Sequence, residues 1–140
     1  SKQGIFECAP ASVPSGTQIG MVYNWDGNTA ANTINCMHTY VDRAAAAVKL
    51  AKVINGAWTE LVSGGTYGSG NRLNCNRVDD VTNMNHGLYY NNALVGTIQA
   101  LALATHTTIK DNVLMDGFST DTTAAGNTGT IQCNAGIGVA

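Results

Sequence analysis

The longest periodic apolar pattern in the chain lies between Thr39 and Asn55, in the segment TYVDRAAAAVKLAKVIN. Apolar residues recur there at intervals of three and four, the spacing that places side chains on one face of an α-helix: Val41, Ala44, Val48, Ala51 and Ile54. Thr39 followed by Asp42 resembles a capping box, and Gly56 is a typical helix stop. The pattern predicts one main helix over residues 39–55.

Strand patterns flank this segment. In TQIGMVYNW, Ile19, Met21, Tyr23 and Trp25 occupy alternate positions, which is typical of a strand with one buried face, and AWTELVS indicates a shorter strand. Apolar residues on both sides of Asn91–Asn92 predict a hairpin, although the spacing over residues 93–105 also fits a helix. The expected fold is α+β, with the main helix 39–55 packed on a mostly antiparallel sheet.

The chain ends have their own patterns. Residues 1–16 contain both prolines of the chain and predict an extended N-terminal arm. Residues 108–118 are expected to form a strand pair or a strand with a turn, and residues 119–129 a polar loop, followed by a terminal strand with the apolar tail AGIGVA. We find no internal repeat or linker, and 140 residues fit a single domain over residues 1–140.

The amino-acid composition indicates the cellular compartment of the protein. Charged residues make up only 11% of the chain, and such uncharged polar surfaces suit secreted proteins, cell-surface proteins and filament subunits. The cysteines, at positions 8, 36, 75 and 133, form no CxxC pair, so we expect two disulfides and no metal or other cofactor. Three connectivities are possible, of which we favour Cys8–Cys133 with Cys36–Cys75. These features predict a secreted, extracellular protein without a membrane span.

Four titratable residues could carry acid–base chemistry on a phosphodiester: His38, Glu60, Arg77 and His106. A histidine and a carboxylate would exchange protons while an arginine stabilises the developing charge. The competing interpretation is structural, with His38 capping the helix and Glu60 facing solvent. Asp79–Asp80 similarly fits either a cation site or a turn.

The glycine-rich stretch GTYGSGNRLNCNRVDD offers a candidate binding surface made of Tyr67, Arg72 and Arg77. It lacks the Gly-Lys-Ser/Thr of a phosphate loop, and the net charge of −2 provides no general attraction to nucleic acid. The expected partner is therefore a protein, an RNA or a carbohydrate bound locally, and self-association is also possible.

The run YYNNALVGTI, Tyr89 to Ile98, resembles the central hairpin of secreted fungal guanyl-type ribonucleases. That family also has a helix soon after an early cysteine and a cysteine on its last strand, as Cys36 and Cys133 would be here. Its catalytic histidine follows the Gly-x-Ile strand, where this chain has Gln99 and Ala100. The resemblance therefore implies the catalytically inactive ribonuclease-like effectors that plant-pathogenic fungi secrete to bind host molecules.

Three functional hypotheses follow. The first is a secreted, disulfide-stabilised interaction protein of the effector type, without catalysis. The second is a secreted ribonuclease or another small hydrolase, which requires a histidine to converge with Glu60 and an arginine. The third is a filament or surface-assembly subunit, pilin-like or a coat protein, which low charge and the apolar tail favour.

Overall fold

The computed structural model describes residues 3–10, 13–28, 30, 32–110, 117–121 and 130–133; most of the predicted polar loop and the AGIGVA tail lie outside them. The described residues form two antiparallel β-sheets and one helical turn. The strands are β1 (Gln3–Cys8), β2 (Gln18–Tyr23), β3 (Cys36–Asp42), β4 (Ala47–Ile54), β5 (Ala57–Gly64), β6 (Leu73–Asp79), β7 (Asn83–Tyr90), β8 (Ala93–Leu94), β9 (Gln99–Ala102), β10 (Gly117–Asp121) and β11 (Thr130–Cys133), and the turn is α1 (Thr107–Lys110).

The two sheets differ in strand order. The six-stranded sheet runs β11-β10-β2-β3-β4-β5. The five-stranded sheet runs β1-β6-β7, and β8 and β9 both pair with the free side of β7, one near each of its ends. The sheets pack face to face as a β-sandwich, with β1 against β2, β3 against β6 and β4 against β7.

The main core lies between the sheets and draws alternate residues from each. Met21, Tyr23, Met37, Val41, Val48 and Leu50 of the six-stranded sheet pack with Leu73, Cys75, Met84, Leu88, Tyr90 and Leu101 of the five-stranded sheet. Burial of each large apolar side chain contributes roughly 1.5–3 kcal/mol, so this layer is the main favourable contribution to folding. A second cluster, around Val22, Trp25, Cys36 and Val53, covers the other face of the six-stranded sheet.

The predicted helix over residues 39–55 is wrong. Residues 36–42 are β3, residues 43–46 form a turn, and residues 47–54 are β4. Asp42 was expected to take part in a helix cap, but its side chain stabilises this turn instead. Its Oδ1 accepts hydrogen bonds from the backbone N–H groups of Ala44 (3.0 Å) and Ala45 (3.1 Å). The fold is therefore a mainly β sandwich, and the α+β class is also wrong.

The physical reason is that β3 is buried on both faces. Every residue from Cys36 to Asp42 is buried, because one face meets the main core and the other meets the second cluster. A strand covered on both sides loses the alternation of apolar and polar residues that identifies a half-buried strand. Because this alternation is absent, the alanines and valines of residues 39–55 happen to fall at the spacing of a helical stripe, and the pattern therefore predicted a helix.

The two predicted disulfides are also wrong, because Cys8, Cys36 and Cys75 are free thiols. Cys36 and Cys75 belong to different clusters, Cys36 on the outer side of the six-stranded sheet and Cys75 between the sheets, so β3 separates them. Cys8 pairs by its backbone with Leu73 at the end of β1, and the backbone of Cys133 pairs with Gly117. Burial raises the pKa of the Cys75 thiol to about 11 and that of the Cys36 thiol to about 12.

Other strand predictions are confirmed. The segments around TQIGMVYNW and AWTELVS are β2 and β5. Residues 3–8, for which the sequence predicted only an extended arm, form β1. The hairpin at Asn91–Asn92 is present, with both asparagines at positive φ (51° and 67°), the geometry of the two-residue turns that connect antiparallel strands. Residues 93–94 and 99–102 are strands, which decides the strand-or-helix ambiguity over that segment in favour of strands.

Candidate functional site

The structure divides the four acid–base candidates into two separate pairs. His38 on β3 and Glu60 on β5 lie on the outer side of the six-stranded sheet, where the pairing of His38 with Ala51 and of Ala51 with Glu60 places them two strands apart. Arg77 on β6 faces the interior of the sandwich, and His106 lies just before α1. The arrangement therefore does not bring a histidine, Glu60 and an arginine to one place.

His38 is an aromatic core residue. Its ring stacks on Tyr40 at a centroid distance of 4.5 Å and meets the edge of Trp58 at 4.9 Å. Burial lowers the pKa of His38 from its ordinary 6.5 to about 3. The imidazole is thus uncharged at neutral pH and packs as an aromatic ring rather than exchanging protons with a substrate.

Glu60 belongs to an ion network on the same sheet. Lys49 on β4 pairs with Glu60 at 2.9 Å and with Asp42 at 3.1 Å. The Asp42 and Lys49 side chains are largely buried, whereas Glu60 is 46% exposed. A carboxylate held by a lysine in this way ties β3, β4 and β5 together, and its negative charge is already compensated.

Arg77 is completely buried and forms a two-pronged ion pair with Asp79 on the same strand. Its Nε donates to Asp79 Oδ1 at 2.7 Å and its Nη2 to Oδ2 at 2.8 Å, and Nη2 also donates to the carbonyl of Lys110 at 3.1 Å. This bidentate geometry is the strongest form of a carboxylate–guanidinium contact. Arg77 therefore joins β6 to α1 inside the sandwich and does not reach a surface ligand.

His86 is a buried polar residue that the sequence analysis did not single out. It lies opposite Arg77 on β7, and its Nδ1 is 3.1 Å from the Tyr23 hydroxyl, which in turn lies 2.7 Å from Cys75 Sγ. Burial, together with the charge of Arg77, lowers the pKa of His86 to about 3. The alternation of Met84, His86, Leu88 and Tyr90 is the sequence signal that could have placed this histidine on a buried face.

The Tyr23, Cys75 and His86 side chains contain a thiol and an imidazole, but their protonation states do not suit nucleophilic chemistry. A nucleophilic cysteine needs a thiolate, whereas the pKa of Cys75 is raised to about 11 by burial. A partner imidazole would need to be basic enough to accept the thiol proton, whereas burial lowers the pKa of His86 to about 3. The hydrogen bonds instead satisfy polar atoms inside the core.

His106 is held at the edge of the sandwich by two contacts. Its Nε2 lies 3.0 Å from the ammonium of Lys52 on β4, and its Nδ1 lies 3.0 Å from the carbonyl oxygen of Ala102. Together these contacts connect the two sheets, because Lys52 belongs to the six-stranded sheet and Ala102 to the five-stranded one. His106 thereby acts as a link between β4 and the segment after β9.

The predicted binding surface of Tyr67, Arg72 and Arg77 is not a single surface. Arg72 is exposed and pairs with Glu7 at 3.4 Å, whereas Arg77 is inside the sandwich. The Tyr67 hydroxyl accepts a hydrogen bond from the Val13 N–H at 3.2 Å, and the guanidinium of Arg43 lies over its ring at 4.5 Å. Tyr67 therefore holds the glycine-rich loop against the body of the domain.

The two adjacent aspartates have separate structural roles. Asp79 pairs with Arg77, while Asp80 accepts hydrogen bonds from the backbone N–H groups of Thr82 and Asn83, both at 2.7 Å. Asp80 thus closes the turn between β6 and β7. Within the part of the chain that the structure describes, no group of three or more His, Cys, Asp or Glu residues could hold a metal ion.

The most distinctive surface is the outer face of the five-stranded sheet. We call the outer face the side of that sheet turned away from the core, formed by Ile5, Glu7, Asn74, Asn76, Val78, Asn85, Tyr89, Leu94 and Ile98. Its aliphatic side chains are exposed: Ile5 by 68%, Val78 by 49%, Leu94 by 45% and Ile98 by 46%. Its charged members are limited to Glu7, which Arg72 neutralises at the rim.

The register of the paired strands explains how the outer face is organised. Ile5 pairs with Asn76 and Asn76 with Gly87, whose missing side chain leaves space that Ile98 and Tyr89 occupy. The neighbouring row runs from Glu7 through Asn74 and Tyr89 to Leu94. Aliphatic groups therefore alternate with amides across a broad surface whose one charged residue among those defined above is Glu7.

Comparison with known proteins does not assign the chain to a family, since no family model and no curated sequence matches it. Among the described residues, no helix has both the length and the apolar character needed to cross a bilayer. The likeness of Tyr89–Ile98 to the ribonuclease hairpin stays a prediction.

Proposed function

We propose that this protein is a non-catalytic interaction module that binds another protein through the outer face of its five-stranded sheet. The observation that carries the proposal is the exposure of Val78, Leu94 and Ile98 together on one sheet face. Clustered exposed apolar side chains are unfavourable in water and commonly mark interaction sites. The surrounding asparagines supply hydrogen-bonding groups for the rim of such an interface.

The chemistry of the outer face favours a protein over RNA as the partner. RNA binding depends on cations that neutralise phosphates, and here Arg72 is already paired with Glu7. Sequence-tolerant stacking of bases or sugars uses several aromatic rings, whereas Tyr89 is the aromatic residue among the defined outer-face side chains. The aliphatic and amide groups of the outer face match a largely uncharged protein surface.

The hydrolase alternative has weaker support. His38, Glu60 and Arg77 are each engaged in contacts that hold the sandwich together. His106 is held between Lys52 and Ala102. The test is incubation of the protein with single-stranded RNA: we expect no cleavage, and cleavage that disappears in a His106→Ala variant would contradict the proposal.

The binding surface can be tested by site-specific photo-crosslinking. A photoreactive phenylalanine analogue replaces Ile98 in one variant and Thr59 in another. Both residues are exposed, Ile98 between β8 and β9 on the outer face and Thr59 on β5 of the other sheet. In extracts of the producing organism we expect defined protein adducts from position 98 and none from position 59.

Competition with unlabelled protein then tests whether the adducts depend on the outer face. Excess unlabelled wild-type protein should suppress the adducts, whereas a Leu94→Lys/Ile98→Lys double variant with an unchanged circular dichroism spectrum should not. Adducts of equal yield from both positions, or equal suppression by wild type and double variant, would contradict binding through the outer face.

A further inference from the structure

We propose that β1 is a self-pairing edge, so that two copies of the chain join their five-stranded sheets into one continuous antiparallel sheet across a two-fold axis at Ile5. This inference does not depend on the proposed function, since it uses the backbone edge of the sheet and not its outer face. The occupant of the edge is a second copy of the same chain.

β1 is the terminal strand of its sheet among the described strands. It pairs with β6 over six residues in unbroken register, from Gln3–Val78 to Cys8–Leu73. Its other side therefore presents a regular row of backbone N–H and C=O groups. An edge of this kind is a template for pairing with another strand.

Two other sheet edges among the described strands, at β5 and at β8 and β9, carry features that hinder pairing. The register of β5 with β4 shifts between Leu50 and Ala51, which marks a bulge. The edge formed by β8 and β9 is interrupted at residues 95–98, where Gly96 has a φ of 67°. Bulges and interruptions are devices that block edge-to-edge contacts, and β1 has neither.

The charges near β1 do not oppose a second copy. Edge strands are often protected by a charged side chain, and here that side chain would be Glu7. Arg72 lies 3.4 Å from Glu7 and neutralises it. The net charge of −2 for the whole chain also produces little repulsion between copies.

Symmetry and the pleat limit the possible registers. Residues directly opposite in an antiparallel pair point to the same face, so outer-face positions must pair with outer-face positions. A two-fold axis at Ile5 places Ile5 opposite Ile5 of the second copy and Glu7 opposite position 3. It brings together the exposed Ile5 side chains of the two copies and keeps the two Glu7 carboxylates about 13 Å apart along the strand direction.

Cysteine substitution tests this register directly. Directly opposite residues in an antiparallel pair have Cα atoms about 4.5–5.5 Å apart, within the range that a disulfide can bridge. Under mild oxidation we expect Ile5→Cys to form a covalent dimer at least ~10-fold faster than Glu7→Cys, because position 7 is remote from its own copy in this register. Equal rates for the two variants, or no dimer from Ile5→Cys, would overturn the proposal.

Sedimentation velocity over a wide concentration range tests association without crosslinking. We expect the wild-type protein to dimerise and Ile5→Lys to raise the dissociation constant at least ~10-fold, since it places like charges opposite each other. Leu94→Lys is the matched control, because it adds the same charge to the same face at the far edge. A wild-type protein that stays monomeric would overturn self-pairing, and equal weakening by both variants would indicate face-to-face stacking instead.

Discussion

At the scale of single residues, buried polar side chains decide what this protein can do. Arg77, His38 and His86 all have the chemistry of catalytic residues, yet each is almost completely buried and held by neighbouring groups. Inside a protein, an ionisable group either finds a partner or keeps its uncharged form. Arg77 has Asp79 as its partner, and His38 and His86 keep their uncharged forms.

The buried histidines predict a loss of stability in weak acid. The pKa of both His38 and His86 is about 3 in the folded chain against an ordinary 6.5, so the unfolded chain binds more protons between these values. The free energy of unfolding should therefore be constant above about pH 6.5 and fall by up to about 3 kcal/mol per histidine towards pH 4.

Urea unfolding at a series of pH values measures this dependence, and the NMR signals of the imidazole carbons report each protonation directly. We expect two imidazoles that stay uncharged well below pH 5 in the folded protein. If every histidine titrated near its ordinary value, the burial described for His38 and His86 would be contradicted.

At the scale of secondary-structure elements, turns and close backbone contacts define the strands. Gly56, which the helix prediction treats as a stop, instead forms with Asn55 the tight turn between β4 and β5, with φ values of 48° at Asn55 and 74° at Gly56. An Asn-Gly pair between two apolar runs is a strong hairpin signal, and it was available in the sequence. The alanines of the turn before β4 extended the apparent helical stripe, and this stripe favoured a helix over the hairpin that the Asn-Gly pair indicates.

Gly20 shows how closely two strands approach. It pairs with Tyr40, and a Cβ atom at position 20 would overlap the carbonyl oxygen of Thr39 and the Cα of Tyr40. Because these are backbone atoms they cannot rotate away, so Gly20→Ala should lower the free energy of unfolding by roughly 1–3 kcal/mol or more.

Gly64→Ala is the matched control for Gly20→Ala, because a Cβ there meets one methyl group of Val95, a side chain that can adjust. Urea unfolding of both variants should show the larger loss at position 20. Equal losses at the two positions would argue against the tight pairing of β2 with β3.

At the scale of the whole molecule, the sandwich is held together by packing between its sheets and not by crosslinks. The sheets share a core to which both contribute, and polar contacts such as Lys52–His106 supplement it. Cys36 and Cys75 lie in separate clusters of this structure as buried thiols. The argument for an oxidising compartment, which depended on two disulfides, loses its support.

Thiol chemistry tests this description of the molecule. A reducing agent should leave the melting temperature unchanged, whereas removal of a native disulfide typically costs about 2–5 kcal/mol. In native protein Cys36 and Cys75 should resist alkylation, because burial raises the pKa of each thiol, and both should react after denaturation.

Peptide mass spectrometry after alkylation distinguishes the positions. A fall in melting temperature on reduction, or a Cys36–Cys75 crosslinked peptide in non-reduced digests, would contradict the structure.

The sequence by itself determined several local features of this protein. It determined the strands at TQIGMVYNW and AWTELVS and the Asn91–Asn92 hairpin, because short apolar runs and tight turns depend on neighbouring residues and leave local patterns. Low charge also indicated an uncharged surface, which the outer face of the five-stranded sheet presents.

Only the tertiary structure decided the conformation of residues 36–54, the state of the thiols and the placement of the candidate site. β3 is covered on both faces by residues distant in the chain, so its burial does not appear as a local period. Whether Cys36 meets Cys75, or Glu60 meets Arg77, depends on which strands pair and which sheet face each residue occupies. Strand pairing is a long-range property, and it separated residues whose chemistry alone suggested a common site.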